Sequence, residues 1–260
     1  MNWEMCTVSA GLLVGKIMKL SFRFGLIVLV EFVGILFTAG CGKNVNSKLI
    51  PSVPRWIPQS IDTSFVETGI GSVPDGDWIH LVWYPNPETD IARYIISRND
   101  GTGFVDYSST TDTTYTDKAV SISVSYSYQV RAVNSDGNES DGSTIIHYEL
   151  LEKSQLQQPV GQAPTFRNPR FMWQFYQSTA PPVGWIFRLQ KLGNPAQQIL
   201  ATRQITVDQL KDFTYQDLKG LALRPSLPDS LTAGQYRWRA DAFDDNFTGS
   251  KSAWGEFVVQ

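Results

Sequence analysis

Apolar and polar positions alternate along the chain from Trp78 onward, in short runs separated by turn-forming residues. Period 2 is the mark of a half-buried strand. In the first run Ile79, Leu81 and Trp83 share one face and Trp78, His80 and Val82 the other, until Pro85-Asn86-Pro87 stops it. Ile91 to Arg98 follows, closed by Asn99-Asp100-Gly101, and shorter runs come at Phe104 to Tyr107, Thr113 to Thr116, Tyr126 to Val133 and Ser143 to Tyr148. About seven short strands, with a turn signal roughly every 8 to 12 residues, predict an all-β Greek-key sandwich.

After a polar, Gln-rich stretch from Leu151 to Pro164 the pattern begins again. Phe171 to Phe175 aligns with the strand ending in Trp83, Trp185 to Leu189 with the strand holding Tyr94, and Tyr236 to Ala242 with Tyr126 to Ala132. The chain therefore reads as an internal duplication. Trp83 and Tyr126 are 43 residues apart and Trp173 and Tyr236 are 63 apart, so the second copy carries an insertion, between Leu192 and Gly234. Within it Thr206-Val207-Asp208-Gln209 has the form of a capping box followed by Leu210, which predicts a short helix or a structured crossover loop. Each aromatic strand has one apolar face: Phe171, Trp173 and Phe175; Trp185 and Phe187; Tyr236 and Trp238. These read as core. Arg237 and Arg239 have the opposite parity and belong on the outer sheet face, with Asp241 or Glu256 as carboxylates for them to clamp.

The N-terminal part has no alternation. An apolar run from Phe24 to Gly40 follows the basic lead Met18-Lys19-Leu20-Ser21-Phe22-Arg23 and reads as a secretory segment, with Met18 as an alternative start. As an uncleaved span it is short against the roughly 20 apolar residues required, and Glu31 interrupts it. From Gly42 to Ser60, Pro51, Pro54 and Pro58 forbid a helix and predict an extended spacer, with Trp56 packed against the first domain.

The run of marks Leu81-Val82-Trp83, Tyr94-Ile95-Ile96, Thr114-Tyr115-Thr116-Asp117 and Tyr126 to Asn134, with Gly137 and Glu139-Ser140, resembles a fibronectin type III domain. The resemblance covers Ser60 to Leu150. It implies that Trp83 is the core tryptophan and that the Tyr126 hydroxyl ties a corner back to the backbone. The second half looks like the same family with an insertion. Thr38-Ala39-Gly40-Cys41 resembles the lipobox of bacterial lipoproteins, although Thr38 replaces the usual larger aliphatic residue. That resemblance implies that Cys41 is acylated, for instance with palmitate, and becomes the mature N-terminus. The division expected is a signal segment over 1–40, a lipidated N-terminus and Pro-rich tether over 41–59, and a fibronectin type III domain over 60–150. A connector over 151–164 and a second sandwich over 165–260 complete it.

Composition narrows the function. Hydrophobic residues at 42% and aromatics at 12% supply globular cores, while a net charge of -3 with no basic stripe argues against nucleic acid. Of the two cysteines, Cys6 is lost if Met18 is the start, which leaves Cys41 and no disulfide framework. His80 and His147 lack a nucleophile partner, and zinc needs three or four convergent ligands. Gly69-Ile70-Gly71 and Gly101-Thr102-Gly103 do not continue into phosphate loops. No cofactor, metal or catalytic group is expected.

Specificity in a sandwich belongs to its end loops or an outer sheet face. That singles out Asp136, Asn138 and Glu139, and in the matching loop Asp244, Asp245 and Asn246. Their oxygen-rich side chains lack the spacing of an EF-hand and fit hairpin turns better. The expected protein is a lipid-anchored, non-enzymatic adhesion, spacer or assembly module of the cell envelope, on the outer membrane or cell surface if the source is a diderm bacterium. Its partner would be an envelope protein or a glycan. The alternative is a carbohydrate-binding accessory lipoprotein, for which Trp56, Trp78, Tyr84 and Tyr176 are the scattered surface aromatics.

Overall fold

The computed structural model describes residues 49–60, 67–176, 182–204, 210–222 and 227–260. The signal segment, Cys41 and Thr206 to Gln209 lie outside them.

The first sandwich has seven strands among these residues: β1 Gly71–Val73, β2 Gly76–Val82, β3 Ile91–Asn99, β4 Val105–Thr110, β5 Thr114–Asp117, β6 Ser125–Asn134 and β7 Ile146–Glu149. They form a sheet of order β1-β2-β5 facing one of order β4-β3-β6-β7, all pairs antiparallel. This three-on-four arrangement is fibronectin type III-like. Ile79, Leu81 and Trp83 are fully buried, as their shared parity requires. The Tyr126 hydroxyl accepts from Ser121 N at 3.0 Å and so locks the crossover into β6.

The Pro-rich stretch is extended as expected, but from Leu49 it lies on the first sandwich instead of standing free as a spacer. Ile57 N donates to Val82 O at 3.1 Å, Tyr84 N to Arg55 O at 2.8 Å, and Asn134 Nδ2 to Leu49 O at 3.1 Å. Trp56 bridges Trp83 with its ring edge-on at 5.8 Å and donates Nε1 to Thr144 O at 2.7 Å. Arg55 to Ile57 therefore extend the edge of β2, and β1 takes that edge over from Gly71. Between the two the chain leaves the sheet at Pro58, which has no N–H with which to continue a ladder.

The second sandwich contains β8 Gln155–Gln158, β9 Pro164–Thr165, β10 Arg170–Gln174, β11 Gly184–Lys191, β12 Gln197–Gln204, β13 Leu210–Thr214, α1 Tyr215–Leu221, β14 Gly234–Phe243, β15 Gly249–Ser250 and β16 Gly255–Val259. Its sheets run β13-β10-β8 and β12-β11-β14-β16-β9, with β15 paired to β14. The order repeats that of the first sandwich, with β9 added in parallel to β16. Phe171, Trp173, Phe187 and Trp238 are fully buried and make one aromatic cluster with centroid distances of 4.8 to 6.1 Å. The Tyr236 hydroxyl donates to Thr232 O at 2.7 Å, repeating the tyrosine corner.

Two expectations are corrected here. The stretch 151–164 is no connector: Leu151 is buried in the second core, and β8 pairs with β10 through Leu156 opposite Trp173. Its glutamines occupy the solvent side of an edge strand, which is why polarity concealed it. In the insertion, Leu210, read as following a capping box into a short helix or a structured crossover loop, opens β13. The helix is α1, capped by Thr214, whose Oγ1 accepts from Asp217 N at 3.2 Å while Asp217 Oδ2 accepts from Thr214 N at 2.8 Å. Asp at the third position does the work of the usual Glu or Gln. Tyr215 and Leu218 anchor this helix in the core.

Candidate functional site

The two loops singled out by sequence are copies of one turn. In each, a side-chain oxygen of the first residue caps the hairpin: Asn134 Oδ1 accepts from Asp136 N at 3.2 Å and Asn138 N at 2.9 Å, and Asp244 Oδ1 accepts from Asn246 N at 2.9 Å and Thr248 N at 2.8 Å. Gly137 N and Phe247 N each bond back to the first carbonyl at 3.0 Å, with φ of 84° and 58°. The left-handed position suits glycine, and Phe247 adopts it because the turn around it is fully bonded. Asp136 and Glu139 are exposed and Asn138 is half-buried. Glu139 faces Arg131 at 3.3 Å. Asp245 and Asn246 are exposed, but Asp244 is committed to the turn and also takes Thr248 Oγ1 at 2.7 Å.

The second loop is also a joint. Gln59 Nε2 of the first sandwich donates to Phe247 O at 2.9 Å, and Lys251 N donates to Ser72 Oγ at 2.9 Å. Lys153 Nζ reaches the carbonyls of Val73, Pro74 and Gly76 at 2.8 to 3.1 Å. These contacts border a cleft of about 370 Å³ between the sandwiches, with Ile57, Ile70, Tyr148, Ile186, Phe243 and Phe247 among its walls.

A charge cluster crosses this cleft. Arg188 on β11 and Arg239 on β14 are directly opposite in register, and their side chains are only 4% and 3% exposed. Like charges across a ladder repel, so the pair needs carboxylates. Asp241 supplies one, its Oδ2 accepting from Arg239 Nε at 3.0 Å. Glu67 of the first sandwich supplies the other, at 2.5 Å from Arg239 Nη2 and 3.0 Å from Lys251 Nζ. Burial pushes the Glu67 carboxyl up, yet Arg239, Lys251 and Arg188 together outweigh it and hold it at about 2. Asp241 goes the other way: burial outweighs Arg239, Glu67 adds repulsion, and its pKa is raised. His80, on the cleft wall, is lowered by burial and by Lys251.

Parity placed Arg237 and Arg239 on the face away from the core, and of the two carboxylates it offered, Asp241 and Glu256, Asp241 is the one that pairs with Arg239. It missed Arg188, although Phe187 and Leu189 facing the core already turn it outward. Glu67 had no signal at all, because its partner Arg239 is 172 residues away. Arg237 bonds Gln190 Oε1 at 2.7 Å, and the guanidinium groups of Arg237 and Arg239 both lie over the Trp254 ring, at 4.3 and 4.6 Å. Of the surface aromatics, Trp56 is packed, Trp78 lies under Lys118 at 4.2 Å, and Tyr84 sits near Arg55 at 5.6 Å. Tyr176 is 51% exposed, and its hydroxyl donates to Gln174 Oε1 at 2.6 Å. The histidines bond hydroxyls, His80 to Thr116 at 2.8 Å and His147 to Ser127 at 2.9 Å.

No protein-family model and no curated protein matches the chain. Among 201 matching solved chains is the crystal structure of chicken CNTN1 FN1-FN3 domains, at 15% identity and a TM-score of 0.28, covering 80% of this chain and 66% of that one. So loose a superposition carries no argument. The strand order and the paired tyrosine corners define the class: two tandem fibronectin type III-like sandwiches, an all-β fold.

Proposed function

We propose that this protein is a non-enzymatic spacer and assembly module of the cell envelope, held to a membrane by acyl chains on Cys41. One observation carries the spacer half of the reading: Leu150 belongs to the first core and Leu151 to the second, so no free linker separates the sandwiches. Fibronectin type III-like pairs joined by flexible linkers can bend at the joint. Here the Glu67 clamp, the Lys153 contacts and the Gln59 bond close the joint on several sides, which suits a part that holds a fixed distance. The anchor half rests on the Thr38-Ala39-Gly40-Cys41 motif.

Two measurements test the reading. Cells fed labelled palmitate should label the wild-type chain and not Cys41→Ser, and retention of label in that variant sinks the anchor. Spin labels at exposed Ser135 and Gly220 should give one narrow distance distribution, whereas a broad one refutes the rigid spacer.

A further inference from the structure

The first sandwich has two ends. At one are the turn Asn134 to Asn138 and the β2–β3 connection, where Asn134 Nδ2 holds Leu49 O at 3.1 Å and Asn86 Nδ2 holds Ser52 O at 2.6 Å. At the other are the β1–β2 turn and Leu150, which abut the second sandwich. The segment from Leu49 to Gln59 runs antiparallel to β2 from the first end to the second, pairing Arg55 to Ile57 with Val82 to Tyr84 before Gln59 meets Phe247. The chain therefore enters at the end remote from the junction.

The second sandwich continues in the same sense. Its β14–β15 turn, at Asp244 to Thr248, meets the first sandwich. Strand β14 reaches that turn from Gly234, and ten extended residues span about 33 Å. Helix α1 and the β11–β12 turn lie at the strand ends away from the junction.

We infer that the molecule stands with the Asn134–Asn138 end of its first sandwich toward the bilayer and presents the α1 end of its second sandwich outward. This rests on the N-terminal anchor proposed above. Eight residue steps separate Cys41 from Leu49, and eight residues reach at most about 28 Å in any conformation. Whatever its course, that length cannot carry the α1 end to the membrane side past two strand lengths of protein. Leu49 and Ile50, 79% and 68% exposed, place apolar side chains at the proximal end. The consequence for recognition is specific. Asp136, Asn138 and Glu139 face the membrane side, Asp244 to Asn246 adjoin the joint, and helix α1 with the β11–β12 turn is the end turned away from the bilayer.

The test uses the full chain in vesicles carrying an acceptor dye on lipid headgroups, with a donor dye on Ser135→Cys or on Gly220→Cys. A Cβ at Gly220 meets nothing within 4 Å, so that variant leaves the helix packing intact. Transfer several-fold stronger from Ser135→Cys than from Gly220→Cys is the expected result. Equal or reversed transfer in a palmitate-labelled protein overturns the orientation alone. Recovery of the chain in the aqueous fraction without label overturns the anchor and the orientation with it.

Discussion

Leu150 and Leu151 are neighbours in the chain and are buried in different hydrophobic cores, at 0% and 3% exposure. A single peptide bond thus couples two sandwiches, and neither core can lose its leucine without loosening the joint. Because β8 begins four residues later, a fragment of residues 160–260 lacks an edge of the β13-β10-β8 sheet. It should melt without a cooperative transition by circular dichroism, while 151–260 melts as one unit. Equal cooperativity would show that β8 is dispensable.

Glu67 should set the acid limb of stability. Its folded pKa of about 2 lies below the ordinary carboxyl value of 4.5, so it stabilises the fold fully above about pH 4.5 and loses that contribution as pH falls toward 2. Asp241, with its raised pKa, acts in the opposite sense. Glu67→Gln should therefore cost about 2–3 kcal/mol at pH 7, less than the full penalty of a broken buried pair because Glu67 is 31% exposed. Urea unfolding of both proteins should show that gap closing between pH 4.5 and 2. A gap constant with pH would mean that the clamp is only packing.

The two homologous turns should respond differently. Asp136, Asn138 and Glu139 changed together to alanine spare the Asn134 cap and should stay within about 1 kcal/mol of wild type. Asp244→Ala removes three hydrogen bonds to its carboxylate and should cost about 2 kcal/mol in chemical unfolding. Equal costs would deny that the cap holds the joint.

Tyr126→Phe and Tyr236→Phe each remove one hydroxyl bond to backbone, at 3.0 and 2.7 Å, and should each lose about 1 kcal/mol. Trp83→Ala, by contrast, empties a fully buried site and should cost about 3–5 kcal/mol. Differential scanning calorimetry of the three variants checks the ranking.

Alternation along the chain determined most of the fold, because a strand with one buried face must repeat every second residue. Ile79, Leu81 and Trp83 in one copy and Phe171, Trp173 and Phe175 in the other needed no further information, and the duplication made each half evidence for the other. Arg237, Arg239 and Asp241 were legible as outer-face residues for the same reason. What alternation does not carry is contact between distant segments. Gln155 to Gln158 read as a connector since only pairing with β10 makes an edge strand of so polar a run. Helix α1 follows from an Asp-bearing cap that the usual Glu or Gln pattern leaves out. Glu67 meets Arg239 only because the residues just before β1 lie against the second sandwich, and nothing local to either residue encodes that. The charge surplus created by two facing arginines is a property of β11 and β14 lying side by side, and tertiary structure alone decided which carboxylates would answer it.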